Sequence, residues 1–187
     1  MTDLPLIVGI SGASGAIYGL RMLEVLRRIE IPAHLIVSKS AVQTLKEECG
    51  ASIESARALA SQIYPNSDIG AAVSSGSFKT RGMIIIPCAI RTLSDIAFGG
   101  TDNLLSRAAD VQLKERRRVV LVVRETPLHA GHLRAMMAAT ENGAIIMPPV
   151  PAFYHHPQTI DDIVNQTVGR ALDLFDIDAK IVKRWRS

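Results

Sequence analysis

Five short runs of apolar residues punctuate the chain: LIVGI at 6–10, AHLIVS at 33–38, MIIIPC at 83–88, RVVLVV at 118–123 and AIIMPP at 144–149. Each is nearly continuous rather than alternating, the pattern of strands buried on both faces of a parallel sheet. Between them the period lengthens to that of helices. Residues 16–29 put Tyr18, Met22, Val25, Leu26 and Ile29 on one stripe. Spans 40–48 and 53–64 predict two more helices, and 102–117 predicts a long one opened by Asp102 as N-cap. Another runs over 129–141 and stops at Asn142-Gly143. Past MPPVP, a Pro-rich aromatic segment leads to a final helix near 159–175. Strands alternating with helices predict one α/β domain over 1–187, three-layered and doubly wound around a mainly parallel sheet.

Composition narrows this picture without redirecting it. The 187 residues suffice for one sizeable core. Apolar residues make up 48% and charged ones 21%, which is globular rather than disordered. A net charge of +3 is too small to argue for nucleic acid as a partner. The one basic run, KERRR at 114–118, suits a helix end, where cations complement the dipole. Cys49 and Cys88 have no metal-like spacing and fit a reducing compartment. With no signal-like N-terminus and no apolar stretch near 20 residues, the expectation is a cytoplasmic protein that does not enter a membrane.

In such a sheet, ligands bind outside the carboxyl ends of the strands, near the point where strand order reverses. The loops SGASG, SKSA, PCAIRTL, RETPLH and PPVPAFYHH should therefore line a site. In the first, Gly12, Ala13, Ser14 and Gly15 open a helix, where backbone N–H groups and the dipole favour an anion. A ligand-free tight turn is the competing explanation. Arg107 and Lys114 share a helix face about 10 Å apart, with Asp110 between them. Taken alone, that spacing is more often a solvated charge stripe. Arg124 and Glu125, just past a strand, suit acid–base or phosphate work as well as a structural ion pair. His129 and His132 at i,i+3 have no third ligand nearby, nor do His155 and His156, so no metal is expected. Phe153 and Tyr154 could stack on a planar ligand or plug the end of the sheet.

Taken in order, these segments resemble the flavin prenyltransferase (UbiX) family. The matching stretches are GISGASGAIYG, SKSA with Glu48 ten residues after Ser38, SSGSF, PCAIRTLSDIA, DNLLSRAADVQLKERR, VVRETPLH and PPVPAFYHHPQTIDDIVNQTVGR. Together they span nearly the whole chain. The resemblance implies a Rossmann-like, flavodoxin-like fold, an FMN site, a dodecameric homo-oligomer and transfer of a dimethylallyl group from dimethylallyl phosphate to N5 and C6 of reduced FMN. It implies that the prenylated FMN serves UbiD-type decarboxylases, and that no metal is needed. It places Gly12, Ala13, Ser14, Ser38, Ala89, Ile90, Arg91, Thr92 and Arg124 at FMN. It places Arg107, Lys114, Glu125, Tyr154, Arg170 and Trp185 around the donor. Ser14, Glu48, Lys114 and Glu125 are its catalytic candidates, and segment 151–187 is expected to complete the site and pack on neighbouring subunits. At Ala89 the chain departs from relatives that often carry Ser.

The chemistry agrees with this assignment. A phosphate monoester leaves poorly unless its charge is neutralised, and Arg107, Lys114 and Arg170 can supply that in a dry site. Tyr154 and Trp185 offer π-faces to a developing allyl cation. Two alternatives remain: an FMN-dependent decarboxylase of the related cysteine decarboxylase type, and a non-catalytic FMN carrier.

Overall fold

The structure, a computed structural model, describes residues 4–185. Residues 1–3 and 186–187, the two ends of the predicted domain, lie outside the described residues. Among the described residues, six strands form one sheet: β1 (Leu6–Ile10), β2 (Ala33–Val37), β3 (Gln62–Pro65), β4 (Gly82–Cys88), β5 (Val119–Val123) and β6 (Ala144–Ile146). All neighbouring pairs are parallel, in the order β3-β2-β1-β4-β5-β6. The order reverses between β1 and β4, so the crevice of a doubly wound sheet opens there.

Seven helices among the same residues cover the two faces: α1 (Ala16–Arg28), α2 (Lys39–Cys49), α3 (Ile53–Leu59), α4 (Ile90–Phe98), α5 (Leu104–Lys114), α6 (Ala130–Glu141) and α7 (Ile160–Asp173). Because side chains alternate along a strand, the sheet feeds two cores. Leu6, Val8, Ile10, Ile84 and Ile86 pack with α1, α2, α3 and α7. Ile7, Met83, Ile85 and Leu121 pack with α4, α5 and α6. The four central strands β1, β2, β4 and β5 are almost wholly buried, which explains their unbroken apolar runs.

Three predicted elements change. The helix expected over 53–64 ends at Leu59, because Ala60 turns extended at φ −90 and ψ 150. The chain then enters β3, an edge strand that is only half-buried and so carries no long apolar run. The helix expected over 102–117 spans 104–114, and its cap is Asn103, whose side chain accepts from the Ser106 N–H, rather than Asp102. The PCAIRTL segment is a loop for a single residue only; α4 starts at Ile90, directly after Ala89.

Candidate active site

The strand ends at the switch point are tied together by Ser11, which is 1% exposed. Its Oγ donates to the Pro87 carbonyl at 2.9 Å and accepts from the Ala89 N–H at 2.7 Å. One hydroxyl thus joins β1 to β4 and fixes where α4 begins. Beyond it, a Cβ at Gly12 would overlap the Ser40 hydroxyl, so only glycine lets this turn pass under the first turn of α2. Gly15, at φ +103, turns the chain into α1 from the left-handed region.

The N-terminus of α1 is already occupied. Glu48 Oε2, reaching over from the end of α2, accepts from the N–H groups of Gly15 at 2.8 Å and Ala16 at 2.9 Å. Partial burial opposes ionisation of this carboxyl. Hydrogen bonds from the Ser14 side chain and from those two N–H groups, with the Arg124 charge, outweigh it and hold Glu48 below its ordinary value. The anion at this helix start is therefore the chain's own carboxylate.

The start of α4 is different. Ala89 is its N-cap and offers no side-chain acceptor, so no side chain caps its first turn, Ile90, Arg91 and Thr92. Ser38 stands on the same edge, capping α2 through Ala41 and lying 3.2 Å from the Ser40 hydroxyl. The Arg124 N–H donates to the Cys88 carbonyl at 3.1 Å, which sets its side chain at the end of β5. That charge reaches both Glu48 and Tyr18. Burial pushes the Tyr18 hydroxyl up, against a hydrogen bond with Thr167 of α7 and the pull of Arg124. Glu125 is exposed beside Arg124, its Oε1 accepting from the Thr126 N–H at 3.0 Å. Gly12 to Ser14, Ser38, Glu48, Ala89 to Thr92, Arg124 and Glu125 thus line one edge. Sequence reasoning missed Ser11, Ser40 and Tyr18; the only signal for Ser11 was a hydroxyl immediately after a buried strand.

The remaining candidates lie elsewhere, in two groups on opposite faces of the sheet. On the α7 side, the Tyr154 hydroxyl accepts from Gln166 at 2.8 Å and donates to the Lys183 carbonyl at 3.3 Å. Trp185 packs edge-on to the Tyr154 ring at 5.4 Å. One turn further along α7, Arg170 pairs with Asp173, which also holds Arg184 through two bonds of 3.0 Å. Those bonds, Arg184 first, keep the Asp173 carboxyl below its ordinary value. On the α5 side, Arg107 pairs with Asp110 at 3.1 Å and Lys114 with Glu115 at 2.7 Å. Lys114 precedes the start of β5 and Glu125 follows its end, so the five strand residues separate them by about 16 Å. Within one chain the donor residues do not converge.

His129 and His132 stack with ring centroids 3.6 Å apart. Among the described residues no group of three or more His, Cys, Asp or Glu side chains comes together as a metal site. A cavity of about 580 Å³ lies at the opposite edge of the sheet, lined by Arg81, Arg116, Arg117, Arg118, Phe175 and their neighbours. It is remote from the strand-end loops, and the chemistry-bearing residues argue for the loops as the site. No helix among the described residues is long and apolar enough to cross a membrane.

A doubly wound parallel sheet with an uncapped helix start at its switch point defines a protein of the nucleotide- and flavin-binding class. The Flavoprotein family model matches residues 1–172. The flavin prenyltransferase UbiX of Salmonella typhimurium is 61% identical over 184 residues, covering 97% of each chain. That of Thauera aromatica is 55% identical over 180 residues, covering 96% of this chain and 93% of its own. The crystal structure of AnUbiX in complex with FMN and dimethylallyl pyrophosphate superposes with a TM-score of 0.97 at 48% identity, covering 99% of this chain and 98% of that one. A dodecameric FMN-dependent UbiX-like decarboxylase from Escherichia coli O157:H7 superposes at 0.96 and 45% identity, covering 98% and 100%. The chain belongs to the UbiX flavin prenyltransferases.

Proposed function

We propose that this chain transfers a dimethylallyl group from dimethylallyl phosphate to N5 and C6 of reduced FMN, releasing inorganic phosphate and a prenylated flavin for UbiD-type decarboxylases in the cytoplasm. The observation that carries the reading is the contrast between the two helix starts at the switch point. That of α1 is filled by Glu48, and that of α4 has no side chain to cap it. The FMN phosphate fits α4, with the N–H groups of Ile90 to Thr92, the Ser38 hydroxyl and the Arg124 guanidinium as partners. Gly12 and Ala13 let the flavin approach the backbone. Glu48 then stands as a carboxylate at the flavin end, with Ser14 beside it to pass a proton from N5.

At the donor end, Arg107, Lys114 and Arg170 neutralise the leaving phosphate, Glu125 orients or protonates it, and Tyr154 and Trp185 shield the allyl group. Since these residues occupy opposite faces of one chain, the donor pocket is assembled from several copies. Segment 151–187 packs across the contact, in a homo-oligomer that we take to be a dodecamer. Counter-charge comes from cationic side chains, so no metal is required. Mass analysis of the flavin after incubating reduced FMN, protein and dimethylallyl phosphate without added Mg²⁺ tests this. One prenyl added per FMN with one phosphate released is expected; unmodified FMN refutes it.

A second reading has support. Two solved relatives, the Escherichia coli O157:H7 protein and one from Aquifex aeolicus at 39% identity, are described as decarboxylases. Carbon dioxide released from an unsaturated aromatic acid by the pure protein would favour it. Cysteine decarboxylases such as that of thioviridamide biosynthesis, at 15% identity, share the fold alone.

A further inference from the structure

Residues 114–118, KERRR, are more than the cationic end of a helix. Adjacent side chains on a helix point apart, yet the Lys114 ammonium and the Glu115 carboxylate meet at 2.7 Å. They meet because the helix ends between them. Lys114 is the last residue of α5, Glu115 caps it at φ −83 and ψ 6, and Arg116 turns the chain away at φ +56. Both side chains then lie over Gly76, in the loop that leads to β4. A Cβ there would collide with the Glu115 carboxylate and sit 2.9 Å from Lys114 Nζ. Arg117, its side chain only 12% exposed, staples the same loop by donating to the carbonyls of Gly76 at 2.6 Å and Phe78 at 2.7 Å. Lys114 first, then Arg117 and Lys79, hold the Glu115 carboxyl below its ordinary value.

A lysine on an exposed helix end has a long flexible stem and loses much rotamer freedom when it grips a phosphate. Here the stem is already directed. We propose that Glu115 is a positioning residue for Lys114: it holds the ammonium in place over Gly76 until the phosphate of the prenyl donor takes over as its partner. The inference rests on the assignment of Lys114 to the donor phosphate. Arg117 fixes the loop against which the pair is set, and glycine at 76 leaves the space in which the partners exchange.

The test uses the FMN-loaded full chain, with dimethylallyl phosphate as the varied substrate and phosphate release as the readout. Glu115→Gln should lower kcat about tenfold, within the hundredfold that a 1 Å misplacement can cost. The donor KM should not rise, because a carboxylate competing for Lys114 has gone. Glu115→Asp, which keeps the charge, should recover most of kcat. Added to Lys114→Ala, Glu115→Gln should change neither constant, since it acts only through Lys114. Wild-type kcat in Glu115→Gln, or a further loss when it is added to Lys114→Ala, overturns the inference. Wild-type turnover in Lys114→Ala would instead overturn the donor-site assignment; a slow Lys114→Ala beside an unaffected Glu115→Gln sinks the positioning role alone.

Discussion

Replacing Glu48 by Gln keeps its shape and removes its charge. In the native chain, Oε2 accepts two backbone N–H bonds, at 2.8 and 2.9 Å, at the positive end of α1. A hydrogen bond to an ionised acceptor contributes about 1.5–3 kcal/mol, against about 0.5–1.5 for a neutral one. The helix dipole adds roughly 0.3–1 kcal/mol for the negative charge. Glu48 is largely exposed, so solvent screening reduces the sum to about 1 kcal/mol. For a chain of this size that is a fall in Tm of about 2–4 °C at pH 7.

The same geometry fixes how the difference depends on pH. Glu48 is depressed in the folded protein and takes the ordinary value, near 4.3, when unfolded. Its stabilisation is therefore fully present above that value and is lost as pH falls through the folded value. The glutamine side chain of the variant has no such titration. Scanning calorimetry should find a constant gap between the two proteins above about pH 5, closing in stronger acid. A gap that persists unchanged at about pH 3 would refute the idea that a carboxylate charge holds this helix start. The variant should still bind FMN and quench its fluorescence, while prenylated flavin forms more slowly.

Lys114→Ala should leave the FMN dissociation constant unchanged and slow phosphate release about a hundredfold, roughly 3 kcal/mol of lost charge stabilisation, read by rapid quench. Full turnover in a Lys114→Ala, Arg170→Ala double variant would refute the donor phosphate site. Gly15→Val puts a branched side chain at φ +103, at a cost of about 1–2 kcal/mol or more. It should lower both Tm and FMN affinity, checked by calorimetry and flavin fluorescence; wild-type values would contradict the turn's role. Sedimentation should give an oligomeric mass wherever activity is full, and a fully active monomer would refute a pocket shared between copies.

Where a single physical demand governed a segment, the sequence was readable. The strands β1, β2, β4 and β5 must be apolar on both faces, so their runs located them within a residue or two. The edge strand β3 faces no such demand and hid inside a helical-looking stretch. The cap of α5 was misplaced by one residue because Asp102 and Asn103 are both good caps. The choice between them depends on tertiary partners: Asn66, whose carbonyl and side chain take the N–H groups of Leu104 and Leu105. The loops at the strand ends were legible as a candidate site, because ligands of a doubly wound sheet bind at the carboxyl ends of its strands. What composition and spacing could not reveal was that Arg107 and Lys114 lie on the opposite face of the sheet from Tyr154 and Arg170. A one-dimensional pattern carries no information about which copy of a chain faces which.

The glycine-rich turn after β1 looks, as a sequence, like the phosphate cradle, and the plain Pro-Cys-Ala after β4 does not. The proposed reading reverses the emphasis. The anion for α1 is Glu48, 33 residues from Gly15 along the chain, a partner that no local pattern signals. At α4, alanine is among the poorest N-caps, about 1 kcal/mol worse than serine. A serine at position 89 could turn its own oxygen onto the first-turn N–H groups and satisfy them internally. Alanine cannot, so those donors are left for water or for an external anion, and their place at the switch point favours the anion. In the proposed reading Ala89 therefore loses no essential contact by lacking a hydroxyl. The FMN phosphate itself serves as the cap, and binding and local helix stability become one interaction.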